Sequence, residues 1–476
     1  VTAIPAAQKV RLPGVDADTN ALINGLLAEI HARRVRNIVR STYYENKRAI
    51  HKVGTLIPPQ YFKLGIVLGW SGKAVDALAR RCNLDAFVWP DGDLDSIGGS
   101  DLFDDNLMES EVDSAIVQAL IHGPAFLVNT VGGESEPKSL IHVKDATEAS
   151  GEWNRRTRSL NSLLSIIDSD AEGRVLSLAL YLPNRTITAE RASSSAAWSV
   201  DDKPHVYGMP AEVMAYKPRP KRPFGQSRIT RPIMGLQDAA TRALIRLEGH
   251  MDVYSYPELW MLGADPSIFK NADGSQQSAW QIRLGRIKGI PDDEDATNPR
   301  AAIQQIAAAS PDPHLADLNA LAKMFAREAS LPDTAVAITD MANPTSAESY
   351  DASQYELIAE GEGASRDFTR PLRRSFVRGL AILNDTAFDE IPDEWKSIDA
   401  KWRDPRFQSR AQVADAGSKV VPLIAQATSE VELELLGLNE QQIKRVMADK
   451  RRNAGSGVLE ALRAAAAQQG TANAGA

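Results

Sequence analysis

Between Pro223 and Asp265 the chain reads PFGQSRITRPIMGLQDAATRALIRLEGHMDVYSYPELWMLGAD, and this run limits the architecture more than any other. A Pro/Arg-rich approach (Lys217, Pro218, Arg219, Pro220, Lys221, Arg222) meets a Gly turn. No glycine then interrupts Leu236 to Glu248, and aromatic residues follow at Tyr254, Tyr256 and Trp260. That order predicts a loop, a long helix and a turn into a strand. At about 1.5 Å per residue, a helix of about 25 residues spans roughly 37 Å.

The chain has 476 residues, too many for one ordinary core, so several lobes are expected. With 54 Lys and Arg against 62 Asp and Glu, its net charge is −8, which argues against tight nucleic-acid binding, because that affinity comes from neutralising phosphates. A single cysteine, Cys82, excludes an internal disulfide and a multi-thiolate metal site and fits a reducing compartment. The first thirty residues lack a charged start followed by an apolar core, and no run of about 18 apolar residues occurs, so we expect no signal peptide and no membrane span.

Apolar spacing predicts a helix over 17–52 whose second half is basic (Arg33, Arg34, Arg36, Arg40, Lys47, Arg48, Lys52), and another from Gly72 to Cys82. From 86 to 189 the pattern shortens. AFLVNTV, SLIHVKD, RVLSLALYL and RTITAE are strand-length runs, with a helix expected between Asp105 and Ile121. The expected class is α+β, predominantly helical. Residues 190–222 read as an extended connection with a strand near Val213 to Tyr216, and 257–308 as a β-rich insertion holding the acidic loop PDDEDATNP. Asp312 and Pro313 suggest a cap and a first-turn proline for a helix running to Ser330. Residues 331–345 read as a loop. A helix over 346–383 should be kinked at Pro371, helices follow to Arg452, and the Ala-rich tail after Gly457 is expected to fray.

The chemical motifs fail on inspection. The seven histidines (31, 51, 122, 142, 205, 250, 314) form no pair at three- or four-residue spacing, so no HExxH site exists. GWSGKA at 69–74 lacks the first glycine of a phosphate loop, holding Val67, and has Ala74 where a metal-binding hydroxyl is needed. GQSRI at 225–229 ends in Ile229 where a nucleophile elbow needs glycine, which leaves Ser227 as helix-start chemistry. The run from Asp91 has Ser96 and Leu102 at the key positions of a calcium loop. We therefore expect no catalytic residue, no cofactor and no metal.

From Pro223 onward the chain resembles the portal, or head-to-tail connector, proteins of tailed bacteriophages. Phe224, Gly225, Ser227 and Ile229 match a Phe-Gly-x-Ser-x-Ile turn opening a long helix, and Pro257, Trp260 and Gly263 match its exit. Asn343 to Ser349 matches the run that opens the long helix after the tunnel loop. Weaker matches are Tyr43, Tyr44 and Asn46, and Trp402, Asp404 and Pro405 ahead of AQVADAGSKV. Gln226 departs from the arginine common in relatives.

The resemblance implies portal-like wing, stem, clip and crown regions: wing 1–225, stem helix 226–256, clip 257–308, second stem helix 309–330, tunnel loop 331–345, long kinked helix and wing return 346–425, crown and tail 426–476. It implies a ring, usually of twelve subunits, at one capsid vertex, assembled in the host cytoplasm. Double-stranded DNA would pass through without sequence specificity. The implied partners are the large terminase subunit, head-completion or adaptor proteins, the major capsid protein and scaffolding protein, with no membrane. A conduit should hold DNA weakly, since each fixed cation adds affinity that every step must undo. The channel-facing residues are then Asp333, Thr334, Thr339, Asp340 and Asn343, in a loop with no Lys or Arg. Asp292, Asp293, Glu294 and Asp295 are candidates for clip partner contact. Arg219, Lys221, Arg222, Arg228 and Arg231 are candidates for intersubunit or DNA contact. Another virion structural or adaptor protein is the alternative, and a cytoplasmic enzyme using scattered carboxylates a more remote one.

Overall fold

A computed structural model describes residues 9–47, 60–61, 65–254, 258–262, 274–275, 287–290, 302–306, 309–336 and 353–406, with isolated positions between 415 and 450. One compact unit spans Val1–Pro405 and a second Arg406–Ala476.

The first unit begins with α1 (Ala17–Tyr44), whose N-cap Asp16 accepts from the Thr19 N–H at 2.8 Å. Asn20 and Asn24 on its first turns bind the Leu12 and Val10 backbones, each at 2.8 Å, and tie the preceding segment down. The chain continues through α2 (Trp70–Ala79), β1 (Leu84–Val88), α3 (Gly99–Asp105) and α4 (Met108–His122). Strands β2 (Pro124–Val131), β3 (Ser139–Asp145), β4 (Ala149–Asn154), β5 (Ser159–Ser169), β6 (Val175–Leu182), β7 (Arg185–Glu190), β8 (Ser199–Pro204) and β9 (Ala211–Ala215) follow.

These strands form two antiparallel sheets, β3-β2-β9 and β4-β5-β6-β7-β8. Alternation along each strand sorts the layers. Leu164, Leu178, Leu180 and Ile187 face α1, burying Ile23, Leu26, Leu27 and Ile30. Leu163, Ala179 and Tyr181 face the smaller sheet through Phe126, Val128 and Val213. The opposite face of that sheet, with Ala125, Leu127 and Met214, packs on helices. Because both faces are covered, RVLSLALYL reads as a continuous apolar run.

Helix α5 (Arg231–Tyr254) leaves this body and leads to a three-stranded sheet of β10 (Glu258–Leu262), β11 (Ile287–Ile290) and β12 (Ala302–Ile306). β10 lies between the others, parallel to β11 and antiparallel to β12. Helix α6 (Asp312–Glu328) returns against α5, and α7 (Tyr355–Leu383) crosses the helical face of the small sheet. β13 (Asp399–Trp402) closes the unit by pairing with β1. In the second unit Lys419 pairs with Asp415 at 2.7 Å, and Leu433 and Ile443 are buried.

Four boundaries differ from expectation. α1 stops at Tyr44, where the Glu45 N–H caps onto the Ser41 carbonyl; residues 48–52 lie outside those described. The helix expected between Asp105 and Ile121 is α4, which starts at Met108, and α3 is an additional helix ahead of it; the two are separated where the Asn106 side chain donates to the Leu102 and Ser139 carbonyls and accepts from the Ile141 N–H, turning the chain onto β3. α5 starts at Arg231, the residues before it forming a turn. α6 includes Asp312 as its first residue, with Pro311 at the N-cap and no side-chain cap bond, while the Ser310 hydroxyl one residue earlier accepts from the Asp312 N–H at 3.1 Å. The start expected for α7 at Ser346 lies outside the described residues; α7 is described from Tyr355, with Pro371 inside it.

His122, in the last turn of α4, is 5% exposed. Burial pushes its imidazole down to about 4, with Asp145 opposing and Arg40 adding to the shift. The unfolded histidine titrates near 6.5, so between pH 6.5 and 4 the unfolded chain binds the proton first. Stability present above pH 6.5 is lost as pH falls to 4. His142 and His205 are also lowered by burial and share the sign. The urea midpoint should fall through this window, and H122Q should flatten part of the slope; an unaltered slope in H122Q refutes the assignment.

Candidate functional site

The segment that joins the two-sheet body to α5 is held by backbone geometry first. Gly225 adopts φ +65°, and a Cβ there would lie 2.3 Å from the Tyr216 carbonyl oxygen. Only glycine lets the chain pass this close. The Gln226 N–H then donates to the Tyr216 carbonyl at 2.9 Å. Beyond it, the turn satisfies the end of α4: the Arg228 N–H donates to Leu120 O (2.7 Å) and the Ser227 hydroxyl to Ile121 O (2.5 Å). Arg40 Nη1 donates to His122 O at 2.9 Å. Three carbonyls that a helix C-terminus leaves orphaned thus have partners. Ser227 also accepts from the Ile229 N–H at 3.0 Å, so its hydroxyl builds a turn, as the failed elbow motif suggested.

Arg228 occupies the centre of this junction. Its side chain is 5% exposed, and each guanidinium nitrogen has a separate task. Nε donates to Ala74 O on α2 (2.7 Å), Nη2 to Ala329 O at the end of α6 (2.6 Å), and Nη1 to the Tyr216 hydroxyl (3.2 Å). Nη1 also pairs with Glu360 Oε2 on α7 at 2.6 Å. The other Glu360 oxygen takes the Tyr216 hydroxyl and the Lys217 ammonium. Burial works to raise the Glu360 carboxyl, but Arg228, Lys217 and Tyr216 overcome it and hold it at about 2. Burial, reinforced by Glu360, pushes the Tyr216 phenol up. The Glu360 carboxylate therefore stays ionised at any ordinary pH.

The root of α5 is fixed beside this cluster. Gln237 Oε1 accepts from the backbone and hydroxyl of Ser71 on α2, and Asp238 accepts from Tyr43 of α1 at 2.9 Å. Trp70 packs on Phe325 of α6 with ring centroids 5.2 Å apart. Gly72 of the false phosphate loop serves packing: a Cβ would lie 2.8 Å from Tyr44 O.

Of the five basic candidates, Arg219, Lys221, Arg222 and Arg231 are exposed, and the first three share a tight turn closed by reciprocal Arg219 and Arg222 backbone bonds of 3.1 and 2.8 Å. Arg228 corrects the expectation for its group, since its charge is consumed inside the chain and it offers nothing to a neighbour or to DNA. Asp333 and Thr334 are exposed on a short turn that follows α6. They begin just past Ala329, the carbonyl that Arg228 clamps. Thr339, Asp340 and Asn343, and Asp292, Asp293, Glu294 and Asp295, lie outside the described residues. Among the described residues no cluster of His, Cys, Asp or Glu is arranged to hold a metal, and no helix is long and apolar enough to cross a membrane. Glu360, Tyr216, Gln237 and Ser71 had no sequence signal. The one clue for Arg228 was its place between Ser227 and Ile229, both buried.

A body of two sheets and helices, from which a helix pair leaves and returns around a small β insertion, has clear relatives. The profile of the family described as phage portal protein, SPP1 Gp6-like, matches residues 25–455. The portal protein of Mycobacterium phage L5 is 24% identical over 388 residues, covering 80% of this chain and 77% of that protein. That of Mycobacterium phage D29 is 25% identical over 389 residues, covering 80% and 78%. A chain in the neck of an empty gene transfer agent particle, computed with C6 symmetry, has 12% identity and a TM-score of 0.39 over 78% of this chain and 90% of that one. The chain belongs to the phage portal protein family. It is a structural protein, not an enzyme.

Removing one partner of a buried pair strands the other charge, at a cost of about 3–5 kcal/mol. R228A and E360A should each lose about this much in urea unfolding, and R228K nearly as much, because one ammonium cannot serve four acceptors. The double variant R228M/E360L should lose less than the sum. Strict additivity contradicts the assigned coupling. G225A should cost roughly 2–4 kcal/mol through its left-handed φ and the Tyr216 carbonyl.

Proposed function

We propose that this chain forms a ring at one capsid vertex, the conduit for double-stranded DNA during packaging and ejection. The observation that carries the reading is the family match over residues 25–455, taken with the order of body, α5, β insertion and α6. In this reading the body ahead of Gly225 is the wing, α5 and α6 are the stem, β10 to β12 belong to the clip, α7 spans the wing, and the second unit is the crown. The stem helices carry exposed apolar residues, Met251, Leu315 and Met324, the last 55% exposed, which neighbouring helices in a ring would cover. α5, with 24 residues at about 1.5 Å each, is roughly 36 Å long and suits a channel wall.

The ring would multiply each channel-facing residue into a circle of like charge, so Asp333 and Asp340 would set the local field. Their acidity keeps phosphates from settling. Terminase and head-completion proteins would dock at the clip, with Asp292 to Asp295 as the electrostatic contact; any ATP chemistry would belong to the motor. Native mass spectrometry and negative-stain microscopy should find rings of about twelve chains; a stable monomer under all conditions, with no ring on capsids, removes the reading. D333K/D340K should leave the ring intact while slowing DNA passage or altering its salt dependence. Unchanged packaging at low salt takes the loop out of the channel.

A further inference from the structure

Resting on the ring reading, we infer that a cleft between the 217–223 turn and α7 is the socket of a head-to-tail contact, and that it receives the Leu107 corner of a second copy of this chain. The cleft has a volume of about 670 Å³. Trp153, Pro218, Pro220 and Pro223 give it an apolar wall, and Arg155, Arg158, Arg219, Lys221 and Arg370 a basic rim. Its two acids are already engaged. Glu212 pairs with Arg378 at 2.8 Å and Arg374 at 3.3 Å, and Asp367 accepts from the Lys217 backbone N–H. Among the described residues no carboxylate lies within ion-pair distance of the five rim cations. An acidic chain that gathers unpaired cations around an apolar wall presents a surface matched to an acidic, partly apolar protrusion.

Such a protrusion stands elsewhere on the same chain. Leu107 joins α3 to α4 and is 70% exposed. Its φ of 47° is left-handed, a conformation that costs a leucine about 1 kcal/mol or more. The left-handed backbone serves the protomer, since Leu107 is the N-cap of α4 and its carbonyl accepts from the Ser110 and Glu111 N–H groups at 2.9 and 3.0 Å, but a large apolar side chain held in water there gains nothing within the chain. Asn106, buried beside it, fixes the corner through its bonds to Leu102, Ser139 and Ile141. Exposed Asp104, Asp105 and Glu109 surround it, with no basic partner at ion-pair distance among the described residues.

The placement of the two features favours a second copy over DNA. Asn106 anchors the corner on β3, whereas the socket runs along Glu212, Val213 and Ala215 of β9. In the order β3-β2-β9 these are opposite edges of one sheet. A knob and a socket on opposite sides give a heterologous contact, the kind that closes into a ring. The socket is also of side-chain size, too small to admit a duplex.

The test compares ring content of the full chain by native mass spectrometry, with circular dichroism confirming the fold of every variant. R219E/K221E and D104K/D105K should each lower the ring fraction roughly tenfold or more at physiological salt, and the combined charge swap should restore it. L107G should relax the corner and raise the protomer's thermal midpoint while weakening the ring, a pairing that a merely structural leucine does not produce. Intact rings in both charge variants and in L107G overturn the inference. Intact rings with impaired DNA packaging in R219E/K221E alone overturn it too, and assign the rim to phosphates. A wild-type chain that never forms rings overturns the ring reading itself.

Discussion

The Arg228 to Glu360 pair is the contact on which the rest of the body depends, because it is where four elements with no sequence proximity share one charge. α2, the end of β9, the carbonyl that caps α6 and the second turn of α7 converge on a single guanidinium. A hydrophobic cluster of the same size would be at least as stabilising, since desolvating two charges offsets much of their attraction. What the planar fork adds is direction. Three nitrogens with three angular demands fix the end of α6 relative to α2 and α7, whereas apolar packing tolerates sliding. The guanidinium also sits at the C-terminal end of α6, where a helix dipole favours positive charge.

That arrangement explains why the junction carries so much backbone detail. The end of α4, the Gly225 crossing and the Ser227 turn spend their hydrogen bonds on one another, so α5 starts from a rigid support rather than from a loop. Gln237 and Asp238, about two turns into α5, then repeat the anchoring on α2 and α1. A helix leaving a body at a fixed angle needs at least two attachment points along its axis, and here they are polar, specific and mostly buried.

Much of the fold was legible in the chain because local pattern reports local structure. RVLSLALYL and AFLVNTV appear as strands, and the spacing of Leu318, Leu321, Ala322 and Phe325 reappears in α6. What escaped was set by remote partners. β1 and β13 pair across most of the first unit, and the polar strand SVDDKP forms only because β7 offers an edge. The break at Asn106 depends on β3, which no helical spacing can register. The site was less legible still. Arg228 shares its composition with Arg219 and Arg222, and only the fold separates the one that is buried from those that are exposed. The portal resemblance came from ordered turns such as Phe-Gly-x-Ser-x-Ile, whose glycine and serine have geometric duties that sequence displays directly.

The same separation would resolve the puzzle that the proposed conduit raises, an acidic protein around a polyanion. With a net charge of −8 per chain, a closed ring accumulates like charge with every subunit, and that self-repulsion opposes assembly as well as DNA adhesion. Arginines buried as Arg228 and Arg378 are do not relieve it, because their charge is cancelled within the protomer. Only cations left exposed and unpaired can compensate acids on another chain. Arg219 and Lys221 on the 217–223 turn are of that kind, and the acids near Leu107 stand on the far edge of the sheet. In the proposed ring, charge balanced between neighbours rather than within them would draw subunits together and leave the conduit repellent to phosphate, so a single acidic composition would serve both closure of the ring and free passage of what moves through it.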